Sequence, residues 1–181
     1  MPEGVQAVVL CEDLQAWVFV RRMLITLGYE SHRIRVLPYP ADGRGSGEQH
    51  VRERYADELG RHRSRAARTR AALVVHVDAD RVTVQERHAA LDLTLHQKGV
   101  APRSAQDMVA ILVPKRAIET WIHFLLDGPP VDEQTSYEKY AYPSDAWPAA
   151  DAFATHVRAR TEPASAPASL LPGLTEARRV L

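Results

Sequence analysis

Short runs of consecutive apolar residues alternate with longer amphipathic stretches through the first 127 positions of the chain. Apolar runs bounded by polar residues are typical of buried strands, whereas apolar positions three and four apart predict a helix. The pattern therefore predicts four strands, each followed by a helix. The predicted strands cover 5–11, 33–39, 71–77 and 108–113, and the predicted helices cover 13–28, 48–67, 83–97 and 116–127.

This alternation predicts an α/β fold, with a doubly wound, mostly parallel four-stranded sheet and helices on both faces, as in Rossmann-like proteins. On the first helix, the positions that fit one face are Leu14, Trp17, Val18, Leu24 and Ile25, so we expect these side chains to face the core.

The composition changes after residue 127, since seven of the twelve prolines lie between 129 and 181. We therefore expect an α/β domain over 1–127 and a Pro-rich C-terminal extension over 128–181. The extension is expected to hold one or two short helices, one of them near 148–160, and to pack on the domain or to be partly disordered.

Composition and charge exclude several classes of protein. The 181 residues are 45% hydrophobic and 25% charged, which is ordinary for a globular domain, and the formal net charge is zero, which argues against a polybasic nucleic-acid coat. A single cysteine, Cys11, excludes an intrachain disulfide framework and favours a reducing cytoplasm. No apolar run is long enough to span a bilayer, so we expect a cytoplasmic protein without a membrane partner.

Carboxylates follow two of the predicted strands directly. Glu12 and Asp13 come after the first strand, and Asp78 and Asp80 come after the third. The other two strands lead to the glycine-rich segment "ADGRGSG" (41–47) and to Lys115, Arg116 and Glu119. Because ligands bind outside the carboxyl ends of parallel strands, we expect these groups to converge at one edge of the sheet.

Carboxylate oxygens without cysteine favour Mg²⁺ or Mn²⁺ over zinc. Mg²⁺ commonly takes one or two carboxylates and keeps several waters, which leaves room for a substrate phosphate. Lys115 or Arg116 would then hold the phosphate or offset negative charge in the transition state.

The same residues resemble the Toprim domain, a family marked by a Glu after its first strand and an Asp-x-Asp after its third. The matching segments are "VVLCEDLQAWVFVRRML" and "VVHVDAD", with Asp78 placed 66 positions after Glu12. "ILVPKRAIETWIHFLLD" is similar to the P-x-x-x-I-E-x-W segment of small standalone Toprim-like proteins associated with anti-phage defence. The resemblance covers roughly residues 5–127, although many members have Glu-Gly where this chain has Glu12-Asp13.

The resemblance implies a metal-dependent nuclease of defence or DNA processing, related to OLD-family nucleases. It implies that Glu12, Asp78 and Asp80 bind Mg²⁺, and Glu12 would serve as a metal ligand or as a general acid or base. Glu119 would anchor or support the metal site, and the substrate would be DNA or RNA. Toprim enzymes are often fused to an ATPase or a DNA-gripping domain, so a homodimer mate or a partner ATPase is also expected.

Other interpretations of the same residues remain open. Asp78 and Asp80 are also typical of a solvated loop before a helix, and Glu119 is favoured in a first helical turn without any function. The glycine-rich segment is not a phosphate-binding Walker motif, since no Gly-Lys-Ser/Thr follows. His76 is expected to be a core histidine with satisfied hydrogen bonds.

Two further hypotheses concern the whole protein. The first thirty residues also resemble a response-regulator receiver domain, with Glu12-Asp13 as its acidic pair, Asp78 or Asp80 as the phosphoacceptor and Lys115 as its lysine. The other hypothesis is a catalytically silent Toprim-like module that binds a partner protein or nucleic acid.

Overall fold

The computed structural model describes residues 4–40 and 46–181. Four strands and six α-helices follow one another in this part of the chain, with single 3₁₀ turns at Ser31–Arg33, Pro143–Ala146 and Arg178–Val180. The elements are β1 Ala7–Leu10, α1 Leu14–Thr26, β2 Ile34–Val36, α2 Gly47–Ala66, β3 Ala72–His76, α3 Val84–Gln97, β4 Val109–Leu112, α4 Ile118–Asp127, α5 Trp147–Ala159 and α6 Leu170–Ala177.

The strands form one parallel sheet in the order β2-β1-β3-β4. Ala7 pairs with Ile34 on one side and with Ala72 on the other, and Leu73 pairs with Val109. Helices cover both faces, which explains why β1, β3 and β4 are almost entirely apolar, whereas β2 carries the exposed Arg35. The predicted α/β fold with a four-stranded parallel sheet is therefore confirmed.

Alternate residues of the strands enter two separate cores. Val8 and Leu10 of β1 face α2 and α3, where Tyr55 and Leu91 are among the buried partners. Ala7 and Val9 face the other core, to which α1, α4, α5 and α6 contribute.

The C-terminal extension supplies much of this second core. Phe153 of α5 stacks on Trp121 of α4 at 5.7 Å between ring centroids and meets Phe19 of α1 edge-on at 5.6 Å. The indole N–H of Trp121 donates to Ser169 Oγ at 2.8 Å, just before α6. The division of the chain into 1–127 and 128–181 stays a prediction.

The predicted core face of α1 is right only in part. Leu24 is buried, Trp17 and Ile25 are partly buried against the same core, and Leu14 is exposed. The apolar residues of α1 that are buried are Ala16, Phe19, Val20, Met23 and Leu24. Both faces of this helix carry apolar residues, and packing against the sheet and α5 selects the face that the sequence pattern did not.

Two predicted boundaries also differ from the structure. β2 is confined to Ile34–Val36, because a 3₁₀ turn ends at Arg33 and Pro38, which has no backbone N–H to donate, follows the strand. Helix α4 begins at Ile118, after the loop that carries Lys115 and Arg116. Most of the glycine-rich segment, Asp42, Gly43, Arg44 and Gly45 included, lies outside the described residues.

Candidate metal centre

Glu12 and Asp78 lie together at the carboxyl edge of two neighbouring strands. β1 and β3 pair in parallel, with Leu10 opposite Val75, so the two chains leave the sheet side by side. The backbone N–H of Asp78 donates to Glu12 Oε1 at 2.5 Å. The structure therefore brings together two of the three predicted metal ligands.

Burial raises the pKa of the Glu12 carboxyl to about 7, and the negative charges of Asp13 and Glu48 add to the rise. The hydrogen bond from the Asp78 amide and the positive charge of Arg87 oppose it. Glu12 thus carries a net cost of ionisation that its hydrogen bond does not remove.

The pKa of Asp78 is raised well above its usual value, chiefly by burial and then by the charges of Glu12, Glu119 and Asp13. Its Oδ1 atom is buried and has no hydrogen-bond partner among the described residues. The side chain as a whole is 22% exposed and forms part of a cleft wall, so solvent reaches the carboxyl group from one side.

His76 lies directly behind this pair at the end of β3. It is buried as predicted, but neither ring nitrogen has a hydrogen-bond partner within the described part of the chain, so the expectation of a satisfied histidine is wrong. Its Nε2 lies 3.6 Å from Asp78 Oδ1. Burial lowers the pKa of His76 to about 4, against the attraction of Asp13, so the ring is neutral at pH 7.

Asp80, the third predicted ligand, is more exposed and is turned towards a cation. Its backbone adopts a left-handed conformation with φ of 53°, and its carboxylate pairs with Arg116. The ammonium group of Lys115 donates to the carbonyls of Asp80 at 2.9 Å and Val82 at 3.0 Å. Lys115 and Arg116 therefore fix the loop that follows β3.

Glu119 is buried in the first turn of α4, only 3% exposed. Burial raises its pKa, and Asp13 adds to the rise while Lys139 and His123 oppose it. One carboxyl oxygen, Oε1, lacks a hydrogen-bond partner among residues 4–40 and 46–181. The charge of Glu119 raises the pKa of Asp78, one of the predicted ligands.

A cleft of about 410 Å³ opens over the carboxylates. Its walls are formed by Glu12, Ser46, Glu48, Asp78, Asp80, Arg87, Arg116, Ala117 and Ser136. Neither Lys115 nor Glu119 belongs to this lining. Sequence reasoning missed Glu48, Arg87 and Ser136, which reach the cleft from α2, α3 and the segment after α4.

Arg87 is the more deeply buried of the two arginines that line this cleft. Its Nη1 lies 2.6 Å from Glu48 Oε1, its Nη2 donates to the carbonyl of Ala79 at 3.3 Å, and its side chain is only 12% exposed. The buried Nε has no partner in the described chain. The sequence does not predict this position, because Arg87 is one of several charged residues on the polar helix α3.

The start of α2 approaches Glu12 so closely that only glycine fits. A Cβ on Gly47 would lie 2.8 Å from Glu12 Cβ and 3.2 Å from Glu12 Oε2. Ser46 caps this helix by accepting from the Gln49 N–H at 3.4 Å. Gly47, the last residue of the glycine-rich segment, thus sets the position of a predicted ligand.

The residues fit a hydrated divalent cation better than a fully caged one. Within residues 4–40 and 46–181, no group of three or more His, Cys, Asp or Glu side chains is arranged to hold a metal ion. Glu12 and Asp78 supply two adjoining carboxylates, with one oxygen of Asp78 lacking a hydrogen bond. Mg²⁺ needs no more than one or two carboxylates, whereas Asp80 becomes available only if Arg116 releases it.

No family model matches this chain, and no curated protein or solved structure matches it. None of the helices in the described ranges is both long and apolar enough to cross a membrane.

Proposed function

We propose that this chain is a Toprim-like, Mg²⁺-dependent enzyme that cleaves phosphodiester bonds in nucleic acid. The observation that supports it most is the contact between Glu12 and Asp78, which lie at the ends of adjacent parallel strands. Both carboxyl groups have raised pKa values there, at the floor of an open cleft. Strongly perturbed carboxyl groups that converge in a cleft are typical of functional sites.

In this proposal Asp78 holds the cation, Glu12 serves either as a second ligand or as a general acid or base, and Asp80 joins the ligands when its pair with Arg116 opens. Bound Mg²⁺ would neutralise a phosphoryl oxygen and lower the pKa of a coordinated water. Mn²⁺ would serve in the same place, because it takes the same hard oxygen ligands.

The protein's own groups then have separate tasks around the phosphate. Arg87 and Arg116 line the cleft and are the groups placed to attract a phosphate. Lys115 keeps the loop after β3 in place through its two carbonyl contacts, so its contribution to catalysis would be positioning. Glu12, whose pKa lies near neutrality, is suited to exchange a proton as general acid or base.

The biological setting belongs to the same proposal. Anti-phage defence or DNA processing follows from the Toprim resemblance, as does a homodimer mate or a partner ATPase. The one cysteine, Cys11, is free and buried, which suits a cytoplasmic protein.

A receiver-like module is the second candidate, supported by the contact of Lys115 with the loop after β3. A receiver accepts a phosphoryl group on an Asp at this edge. The buried Oδ1 of Asp78 and the exposed, Arg-paired carboxylate of Asp80 make Asp80 the accessible acceptor. The receiver fold has five strands in the order 2-1-3-4-5. The described chain has four strands in the order 2-1-3-4, so a receiver has the same order with one strand more.

The first test is calorimetric titration of Mg²⁺ into the wild-type protein and into Glu12→Gln. We expect binding to the wild type and its loss in the variant, while Glu53→Gln, an exposed change on α2, should bind as the wild type does. Absence of Mg²⁺ binding, even with an oligonucleotide present, would favour the silent binding module.

The second test is cleavage of fluorescent DNA and RNA oligomers in Mg²⁺. The Asp78→Ala, Asp80→Ala double variant should lose cleavage and keep the circular dichroism of the folded chain. Cleavage that is unchanged in this variant would refute the proposal. Acetyl-phosphate labelling of the wild type at Asp80 would instead identify a receiver.

A further inference from the structure

The cleft over Glu12 and Asp78 is called the acidic cleft below, because four carboxylates line it. A second cleft, of about 480 Å³, lies beside it at the same edge of the sheet. It begins at Asp13, the residue that follows Glu12, and its size suits a nucleotide-sized group. Its walls are formed by Asp13, Leu14, Gln15, Tyr39, Lys139, Tyr140, Ala141 and Pro143.

One segment, residues 128–146, contributes to both clefts. Ser136 lines the acidic cleft, and three residues later Lys139 bonds Asp13 Oδ2 at 2.5 Å in the second cleft. The rings of Tyr137 and Tyr140 lie 4.8 Å and 5.3 Å from the His123 ring of α4, between centroids. These contacts anchor the segment across the carboxyl edge, where it forms part of the wall of both clefts.

The lining of the second cleft favours a flat, uncharged group over an anion. Asp13 and Lys139 form an ion pair, so the cleft offers little net charge to a phosphate. Two tyrosine rings and several apolar side chains provide most of the rest. Nearby Tyr142 is 71% exposed, the highest value among the large apolar side chains of the described chain.

We propose that this second cleft binds unpaired nucleobases of the strand whose phosphate occupies the acidic cleft, so that the enzyme acts on single-stranded nucleic acid. This inference rests on the proposed function, which it deepens by naming the substrate class. Tyrosine rings are sequence-tolerant stacking platforms for unpaired bases. A duplex keeps its bases stacked on each other and presents no base face to Tyr39 or Tyr140.

The test compares probes with the same phosphates but different bases. Fluorescein-labelled oligothymidylate of about twelve nucleotides, an abasic oligomer of equal length and the matching duplex are titrated with the full-length protein. Fluorescence anisotropy is read in Ca²⁺, and a denaturing gel confirms that each probe stays intact. We expect the oligothymidylate to bind roughly 5- to 150-fold more tightly than the abasic oligomer, which is the stacking of one base expressed as affinity.

Matched variants separate stacking from folding. Tyr39→Leu and Tyr140→Leu should each lose about 5-fold or more of the preference for bases, whereas Tyr140→Phe, which keeps the ring, should retain it. Equal binding of the base-bearing and abasic oligomers overturns the inference. So does a preference that survives both leucine variants, or tighter binding of the duplex.

Cleavage in Mg²⁺, measured on the same probes, keeps this inference apart from the proposed function. Cleavage without any preference for bases removes only the stacking site. A base preference that depends on the tyrosines, found without Mg²⁺ binding or cleavage, keeps the second cleft as a binding site and removes the nuclease.

Discussion

Replacing Glu12 by Gln is expected to stabilise the folded chain above neutral pH, although the replaced side chain is hydrogen-bonded and largely buried. The pKa of Glu12 rises from 4.5 to about 7 in the folded protein. The folded state therefore holds this proton more tightly than the unfolded chain does. Its stability falls as the pH rises through the window from 4.5 to about 7, and the loss is complete above it.

The size of the effect follows from that shift. A shift of one pKa unit corresponds to about 1.36 kcal/mol, so the full rise lowers the free energy of unfolding by about 3 kcal/mol. Water in the open cleft screens the charge, so we expect an effect of about 1–3 kcal/mol. Glutamine carries no charge, and its amide oxygen can still accept from the Asp78 N–H. Most of the gain should therefore appear in the variant at alkaline pH and little of it in acid.

Urea unfolding followed by tryptophan fluorescence measures the free energy of unfolding of both proteins at about pH 5 and about pH 8.5. We expect similar stabilities at the lower pH and a more stable variant at the higher one. Added Mg²⁺ should stabilise the wild type and leave the variant unchanged, because only a protein that binds the ion gains from it.

Glu53→Gln is the control, since this exposed carboxylate on α2 should change stability by less than about 0.5 kcal/mol at either pH. A Glu12→Gln variant that is less stable than the wild type at pH 8.5 would refute the reasoning. It would mean that the hydrogen bond to Asp78 outweighs the cost of burying the charge.

Three further substitutions test the site and the core. Gly47→Ala places a Cβ 2.8 Å from Glu12 Cβ, and calorimetry should show Mg²⁺ affinity about 10-fold weaker with the fold retained. Gly173→Ala places a Cβ 2.3 Å from Trp121 Cη2, and thermal unfolding should show a loss of about 1–3 kcal/mol from overpacking. An arginine partner holds the pKa of Asp107 well below 3.8, so Asp107→Asn should cost about 1–2 kcal/mol at neutral pH. That cost should shrink as the pH falls below 3.8, because the carboxyl of the unfolded wild type then binds a proton that the paired carboxyl of the folded protein does not.

Each of these has a result that would contradict it. Gly60→Ala is the control for Gly173→Ala: a Cβ there meets nothing within 4 Å, and alanine favours a helix by about 0.5–1 kcal/mol. Equal stability of the two alanine variants would refute the packing argument. Unchanged Mg²⁺ affinity in Gly47→Ala would remove the role of the close approach. A cost of Asp107→Asn that persists in strong acid would show that its pair with Arg63 is not the cause.

Most of the sheet was predictable because β1, β3 and β4 are buried on both faces, whereas β2 exposes Arg35. A continuous run such as "ALVV" (72–75) of β3 has no polar position to confuse with a helix or a loop. The meeting of Glu12 and Asp78 follows from the same fact, since parallel neighbours end at one edge. Their hydrogen bond adds a contact that spacing alone does not give.

What the sequence did not reveal depends on contacts between distant parts of the chain. Arg87 and Ser136 reach the cleft from elements whose orientation is set only by packing, and neither belongs to a recognisable pattern. The inner face of α1 was predicted only in part for the same reason. Trp17 and Ile25 line a groove with Trp147, while Phe19 meets the extension in the core.

The distribution of cations around the edge gives the strongest physical reason to expect a metal. Several acids of the two clefts already have a basic partner, in the pairs Asp13–Lys139, Asp80–Arg116 and Glu48–Arg87. In the described chain, no Lys or Arg side chain forms an ion pair with Glu12 or Asp78, although these two carboxyl groups lie deepest and repel each other. A protein that needed only stability would gain by replacing such a pair with neutral residues. Two adjoining carboxyl groups that form no ion pair with Lys or Arg among residues 4–40 and 46–181, and that lie beside open solvent, are instead suited to a divalent ion, which brings both positive charges at once and tolerates water in its remaining positions.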